Sequence, residues 1–208
     1  MPDQAREIRE FWFGRLPMSA AALAQRLQFW FGAGDAPERK TGLDDVIRTR
    51  FEPLVIRALR GELSAWAASP RRRLSLIILL DQFPRNMFRG TARAFEYDAQ
   101  ALTLALTGMQ SGADGALDFV ERLFFYMPLE HAENRDAQDE SVAAFRRLLA
   151  EVPPELHETF ADTLSFAEKH RSIIERFGRF PHRNTLLGRV STPEELEWLQ
   201  EGGTSFGQ

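Results

Sequence analysis

The sequence at positions 177–189 reads FGRFPHRNTLLGR and follows an apolar-striped run with helical spacing. A second segment, LDQFPRNMFRG at positions 80–90, has a similar arrangement. Both contain Phe-Pro followed closely by Arg-Asn, and both come just after apolar helical residues. We call them the Phe-Pro segments, and we predict that a helical bundle carries both to one end, where they build a single site.

Hydrophobic periodicity predicts an all-α fold. Alternating β-branched residues are almost absent, whereas Pro and Gly divide the chain into segments with helical spacing. We predict about nine helices in antiparallel succession, within a single domain covering 1–208 and with a frayed tail at 202–208. The clearest apolar stripe is formed by Leu43, Val46, Ile47, Phe51, Leu54, Val55, Ala58 and Leu59.

Capping residues and prolines set the predicted helix boundaries. Residues Gly32 to Gly42 are predicted to form a polar loop, and the first two helices both end in Phe-Trp-Phe-Gly, which indicates large buried ends. The predicted helices are Gln4–Phe13; Ser19–Gly32; one from Leu43 that stops at Gly61 or at Ser69-Pro70; one from Ser69-Pro70 that Pro84 ends; Thr91–Gly108; one from Asp114 that ends before Pro128; Pro128–Val152; Glu155–Phe177; and Thr192–Gln200, which begins with a capping box.

Composition and charge exclude several classes of protein. The chain has 208 residues, 44% of them hydrophobic, with a net charge of −4 and no cysteine. These values give no broad basic surface for nucleic acid and exclude disulfides, thiolate metal sites and a cysteine nucleophile. The N-terminus lacks the features of a signal peptide, and the apolar run at 76–80 is too short to span a membrane. We therefore expect a soluble cytoplasmic protein that binds neither nucleic acid nor membrane.

Asp81 is a carboxylate on an apolar helical face, shared with Ile77 and Ile78. Such a group is costly to bury unless it is paired, and arginine is its natural partner. The candidate partners are Arg85, Arg179 and Arg183. The alternative interpretation is a structural ion pair that only joins two loops.

Two histidines also lie on inward-facing stripes. His131 begins a stripe that continues through Arg135 and Gln138 to apolar positions, which is typical either of a pocket wall or of a helix end entering solvent. His170 lies on the apolar face of the long helix, where a satisfied core residue is the alternative to a catalytic one. No two histidines have the spacing of a helical metal site, so we expect no metal and no cofactor.

Four groups of short motifs are distributed over the chain. They are FWFG (11–14), LDQFPRN (80–86) with FRGT (88–91), YMPLEH (126–131) with Glu133, and RFGRFPHRN (176–184) with LGR (187–189) and TPEE (192–195). These motifs resemble those of a widespread, mostly bacterial family known as domain of unknown function 924 (DUF 924). The resemblance implies one all-helical domain of tetratricopeptide-like architecture, arranged as a right-handed array, and no established activity. Gly32 to Asp45 departs from the family pattern, in which a Trp-Phe pair precedes an Asp-rich stretch.

Three functional hypotheses remain open from the residues. The first is a binding module whose pocket holds an anionic small molecule or a peptide carboxylate, since arginine and asparagine side chains are suitable donors. The second is a hydrolase-type enzyme with His131, His170 or His182 as general base beside Glu130 or Glu133. The third is that the motifs only stabilise the fold. The predicted ligand-binding residues are Asp81, Arg85, Asn86, Arg179, His182, Arg183, Asn184 and Arg189.

Overall fold

All regular structure in the described residues is helical, as predicted. The computed structural model describes residues 3–32, 37–204 and 206, with the backbone alone for 37–41. This part of the chain contains five short 3-10 helices, no strand, and ten α-helices. The α-helices are α1 (Gln4–Phe13), α2 (Ala20–Phe31), α3 (Pro37–Leu59), α4 (Pro70–Leu80), α5 (Gln82–Met87), α6 (Asp98–Gln110), α7 (Phe119–His131), α8 (Arg135–Glu151), α9 (His157–Phe177) and α10 (Pro193–Gln200).

Local capping chemistry explains the helix ends that were predicted correctly. Ser19 caps α2, and Thr192 forms a capping box with Glu195 at the start of α10. The long helix α9 ends at Gly178, which has a φ of 70°. Glycine adopts this left-handed conformation without steric cost, so the helix stops where the second Phe-Pro segment begins.

Two prolines do not end helices, and both predictions that relied on them were wrong. Pro84 is the third residue of α5, because α4 already ends at Leu80. In the first turn of a helix the backbone N–H has no helical partner, so a proline costs little there. Pro128 lies inside α7, where tertiary packing overrides the lost hydrogen bond because residues 120–131 are all buried.

The helix predicted from Pro128 to Val152 is interrupted. The structure ends α7 at His131 and starts α8 at Arg135, where Asn134 accepts a hydrogen bond from Ala137 N at 2.9 Å. His131 is therefore on a different helix from Gln138, and the continuous stripe predicted through them is wrong. An asparagine cap satisfies the first free N–H groups of a new helix, which stabilises the break.

Three further boundaries differ from the sequence prediction. The polar loop predicted from Gly32 to Gly42 is shorter, because α3 already begins at Pro37; residues 33–36 lie outside the described part. The helix predicted from Thr91 to Gly108 divides into a 3-10 helix, Ala92–Phe95, and α6. Asp114 opens only a 3-10 helix, Asp114–Ala116, and Asp118 caps α7. Within the tail predicted to fray, positions 205, 207 and 208 lie outside the described residues.

Helix α4 lies at the centre of the array. It contacts α1, α3, α6 and α7, and its residues from Leu74 to Leu80 are all buried. After α6 the helices pack in chain order, α6 on α7, α7 on α8 and α8 on α9. The chain turn at the end of α4 therefore lies deep inside the protein, and that turn contains Asp81.

Aromatic side chains join the N-terminal helices to this centre. The ring centroid of Trp12 lies 5.6 Å from those of Phe83 and Phe124, and Phe124 lies 4.5 Å from Trp30. A separate small core of Ile173, Ile174 and Phe180 supports the C-terminal region. None of the described helices has both the length and the hydrophobicity that a membrane span requires.

Close packing between α6 and α7 predicts that adding a side chain at Gly108 would destabilise the fold. A Cβ atom there would meet the ring of Phe125 and would lie 2.8 Å from Cδ of Arg73. Gly108→Ala should therefore lower the free energy of unfolding by about 1–3 kcal/mol, as other overpacked cores do. Urea denaturation followed by circular dichroism measures this change.

Gly115→Ala provides the matched control, because a Cβ atom at Gly115 has nothing within 4 Å. The control should leave stability within about 1 kcal/mol of wild type, with any gain arising from the reduced freedom of the unfolded chain. Equal stability of the two variants would contradict the proposed close approach of α6 to α7.

Candidate functional site

Asp81 and His131 form the centre of a buried polar cluster. Asp81 follows α4 and is fully buried, whereas His131 is the last residue of α7. The Nδ1 atom of His131 lies 2.7 Å from Oδ1 of Asp81, and Gln82 Nε2 donates to Oδ2 at 2.5 Å. The prediction that Asp81 is buried and paired is confirmed, and its arginine partner is Arg85, with Nη1 3.3 Å from Oδ1.

The two Phe-Pro segments meet through Asp98, the first residue of α6. Arg85, from the first segment, donates from Nη1 and Nη2 to the Asp98 carboxylate at 2.7 and 2.8 Å. Arg183, from the second segment, has Nη1 3.5 Å from the same carboxylate and donates to the backbone oxygen of His131 at 3.0 Å. Burial lowers the pKa of Arg183 to about 10, so the guanidinium stays charged at neutral pH.

The protonation of His131 follows from its neighbours. Burial and the charge of Arg85 lower the pKa of His131, although Asp81 opposes this shift. Burial alone would raise the pKa of Asp81, but His131 and Arg85 hold it below the usual value for a carboxyl. The neutral imidazole therefore donates a hydrogen bond from Nδ1–H to the ionised carboxylate of Asp81. Nε2 is left as a hydrogen-bond acceptor, and it has no hydrogen bond to any described residue.

Glu130 and His170 form a second buried pair, which is neutral at pH 7. Burial, together with the charge of Asp81, raises the pKa of Glu130 to about 8. Burial lowers the pKa of His170 to about 3, and its Nδ1 atom donates to Phe166 O at 2.8 Å. Glu130 Oε1 lies 3.3 Å from that nitrogen. This contact is between two uncharged groups and is not an ion pair.

His131 borders two cavities. The larger, of about 700 Å³, lies between the start of α6 and the loop after α7, and it is bordered by Asp98, Glu133 and Arg183. The smaller, of about 400 Å³, lies beside the first Phe-Pro segment. Of the predicted ligand-binding residues, Arg85 and Asn86 border the smaller cavity and Arg183 borders the larger.

Three other predicted donors hold the second Phe-Pro segment in place. Arg179 makes two hydrogen bonds to Glu195, at 2.6 and 2.7 Å, and Asn184 donates to the same carboxylate at 3.2 Å. Arg189 donates to Glu133 at 2.6 and 2.9 Å. None of the three arginine and asparagine side chains borders either cavity among the described residues. Their geometry favours the structural interpretation for these positions.

The remaining candidates are Glu133 and His182. Burial would raise the pKa of Glu133, but the hydrogen bonds from Arg189 and from Phe180 N lower it, so the carboxyl is ionised and both oxygens accept bonds. His182 lies within an aromatic group, with its ring 5.6 Å from Phe180, and it borders neither cavity. Glu133 thus shares the larger cavity with His131, whereas His182 lies outside both cavities.

Comparisons with known proteins place the chain in a family. The family described as bacterial protein of unknown function (DUF924) matches residues 8–203. This protein belongs to the DUF924 family. A solved structure of a protein of unknown function from Agrobacterium tumefaciens is 40% identical, with a TM-score of 0.68 over 88% of this chain and 99% of that one. No curated protein matches the chain.

Sequence reasoning missed two residues at the site of this DUF924 protein. Asp98 follows a 3-10 helix at the start of α6, where a first-turn acid is ordinary, so no sequence signal distinguishes it. Phe206 lies in the tail that was predicted to fray, yet its ring stacks on His170 with centroids 3.6 Å apart. The Phe-Trp-Phe repeat at the end of α2 was a usable signal for the cavity wall, but it was interpreted only as a buried helix end.

The raised pKa of Glu130 predicts a specific pH dependence of stability. The unfolded chain loses this proton near the ordinary pKa of 4.5, whereas the folded protein keeps it up to about pH 8. Between these values the folded state holds one more proton, so this group makes folding less favourable as pH rises. Glu130→Gln removes the effect, and its stability relative to wild type should increase between pH 5 and pH 8 by a few kcal/mol.

Denaturant unfolding of both proteins at the two pH values measures this difference. Glu197→Gln, which removes an exposed carboxyl from α10, is the control for the loss of one charge. A constant difference between Glu130→Gln and wild type at both pH values would show that Glu130 is not held in its protonated form.

Proposed function

We propose that this DUF924 protein binds a small molecule with a single negative charge in the smaller cavity. The observation that carries this proposal is the composition of the cavity wall. The described residues that border it include two arginines and His131. They include no carboxylate. Four amide side chains add further donors and acceptors: Gln25, Gln28, Gln82 and Asn86.

The state of the two arginines limits the charge of the ligand. Arg85 already binds Asp98, and Arg89 donates to Asp44 from Nε and Nη2 at 2.9 and 3.0 Å. Each guanidinium therefore shares its charge with a protein carboxylate. A monoanion such as a carboxylate fits this partly neutralised wall better than a dianion such as phosphate, because Asp98 and Asp44 already offset part of the charge of the two arginines.

The size of the cavity favours a small molecule over a peptide. A volume of about 400 Å³ is in the lower part of the range for sites that enclose small ligands. The larger cavity has a less suitable wall for an anion, because Glu96, Asp98 and Glu133 all border it. This contrast supports the smaller cavity as the anion site.

Replacing Arg89 tests the proposal. Benzoate should bind wild-type protein more tightly than benzamide, which has the same shape without the charge. Arg89→Gln should weaken benzoate binding about tenfold, since it removes a charge-assisted donor from the wall, and should leave benzamide nearly unchanged. Isothermal titration calorimetry measures both affinities.

Arg93→Gln is the matched control. Arg93 borders only the larger cavity, where its guanidinium lies 3.8 Å from the ring centroid of Phe88. Benzoate affinity in this variant should stay within about twofold of wild type, because rim charges far from a ligand are screened. Equal binding of benzoate and benzamide by wild type would refute the anion proposal.

A second candidate function is acid–base catalysis of hydrolysis by the same group of residues. The feature that favours it is the different environment of two neighbouring buried carboxyls. Burial raises the pKa of Glu130, whereas contacts with His131 and Arg85 outweigh burial and lower the pKa of Asp81. Environments that separate the pKa values of two acids are typical of catalytic pairs. In this interpretation His131 Nε2 accepts a proton from water, and Glu130 keeps the surrounding charge low.

Hydrolysis of 4-nitrophenyl acetate tests this second candidate. Water attacks the ester carbonyl as His131 takes its proton, and the products are acetate and 4-nitrophenol. His131→Gln should reduce the rate at least about 100-fold, which is typical for the loss of a general base. The wild-type rate should fall as pH rises through about 8, where Glu130 ionises.

His157→Gln is the control, because His157 is an exposed histidine at the start of α9. Its rate should equal that of wild type at every pH. A wild-type rate no higher than that of His131→Gln would exclude this hydrolysis and leave the binding proposal intact.

A further inference from the structure

Aromatic rings form one side of the smaller cavity. Phe29, Trp30 and Phe31, at the end of α2, border it together with Phe206 from the C-terminal tail. Phe31 is 48% exposed, although large apolar side chains are usually buried. Aromatic rings that border a concave surface are typical of sites that stack a flat ligand.

Phe206 is held in position by its own stacking contact. Its ring lies nearly parallel to the imidazole of His170, with an interplanar angle of 14°. The Phe180 ring contacts it edge-on, with centroids 6.5 Å apart. These contacts fix the orientation of Phe206, whose ring forms part of the cavity wall.

His131 supplies a polar contact in the wall of the same cavity. Its Nε2 atom is an acceptor, because the ring proton lies on Nδ1, which donates a hydrogen bond to Asp81. An acceptor gains nothing from a bare carboxylate, so the anionic group of the ligand must face the arginines. The part of the ligand near His131 must then carry an N–H or O–H donor.

We infer that the ligand is a planar heteroaromatic acid whose ring N–H donates to His131 Nε2 while its carboxylate faces Arg85 and Arg89. This inference rests on the proposed function and specifies the ligand class of the same cavity. It requires three features at once: one negative charge, a flat ring and a ring donor. Each feature corresponds to a different part of the wall, so each can be removed separately.

Three matched carboxylates separate these features. Pyrrole-2-carboxylate has the charge, the flat ring and the N–H donor. Furan-2-carboxylate replaces the donor with an oxygen acceptor, and cyclopentanecarboxylate replaces the flat ring with a puckered one. Pyrrole-2-carboxylate should bind wild-type protein about tenfold more tightly than furan-2-carboxylate, and furan-2-carboxylate about threefold more tightly than cyclopentanecarboxylate.

Two variants assign these preferences to residues. In His131→Gln the ratio of pyrrole to furan affinity should fall several-fold toward 1, because Gln lacks the fixed acceptor. In Phe206→Leu the ratio of furan to cyclopentane affinity should fall to about 1, while the pyrrole preference remains. Ratios within one variant are insensitive to a general loss of stability, and circular dichroism verifies folding.

A measurement on wild-type protein covers the case in which His131→Gln does not fold. In ¹⁵N-labelled protein, pyrrole-2-carboxylate should shift the Nε2 resonance of His131 more than furan-2-carboxylate does, because only the former donates to that atom. Equal shifts would overturn the assignment of His131.

The outcomes distinguish this inference from the proposed function. If all three carboxylates bind with equal affinity and Arg89→Gln weakens all of them, the ligand class is wrong and the anion site stands. If pyrrole-2-carboxylate and furan-2-carboxylate bind equally, the donor is wrong. If none of the three binds but benzoate does, the ligand class is wrong and the anion site stands. If benzoate also fails to bind, both the inference and the proposed function are wrong.

Discussion

The contact between Asp81 and His131 is the interaction on which the site depends. It joins the end of the central helix α4 to the end of α7, and it is buried at both partners. A carboxylate in this position would be strongly destabilising without its neighbours, because burial penalises the charged form. Gln82 and Arg85 therefore contact this carboxylate directly, and Asp98 in turn binds Arg85. Both cavities lie beside this group of residues, since His131 borders each of them.

Charge balance explains why this cluster remains compatible with a buried position. Asp81 and Asp98 are balanced by Arg85 and Arg183, whereas Glu130 and His170 avoid charge altogether. A neutral Glu130 removes a repulsion that Asp81 would otherwise feel. Burial and the charge of Arg85 likewise keep His131 uncharged, so its Nε2 atom remains an acceptor. The stability of the buried cluster and the acceptor role of His131 therefore have the same physical origin, because the protein interior tolerates few charges.

The sequence predicted the helices well where capping and spacing are local, as at Ser19, Gly178 and Thr192. It failed at Pro84 and Pro128, because whether a proline ends a helix depends on its position in the turn and on packing. Asp81 could be identified from its apolar face, but Asp98 could not, since its partners come from segments distant in sequence. The family assignment is confirmed, whereas the tetratricopeptide-like arrangement and the cytoplasmic location stay predictions.

The second Phe-Pro segment shows why residue type alone overestimates a binding site. Its arginines and asparagine are suitable anion donors, but Glu133 and Glu195 already occupy Arg179, Asn184 and Arg189. Of these four side chains, only Arg183 borders one of the two cavities, and it lies 4.6 and 4.4 Å from the ring centroids of Phe95 and Phe180. Most of the segment thus positions one guanidinium, which in turn fixes the backbone of His131. Arg179, Asn184 and Arg189 thus support the loop, whereas Arg183 holds the backbone of His131, the residue that borders both cavities.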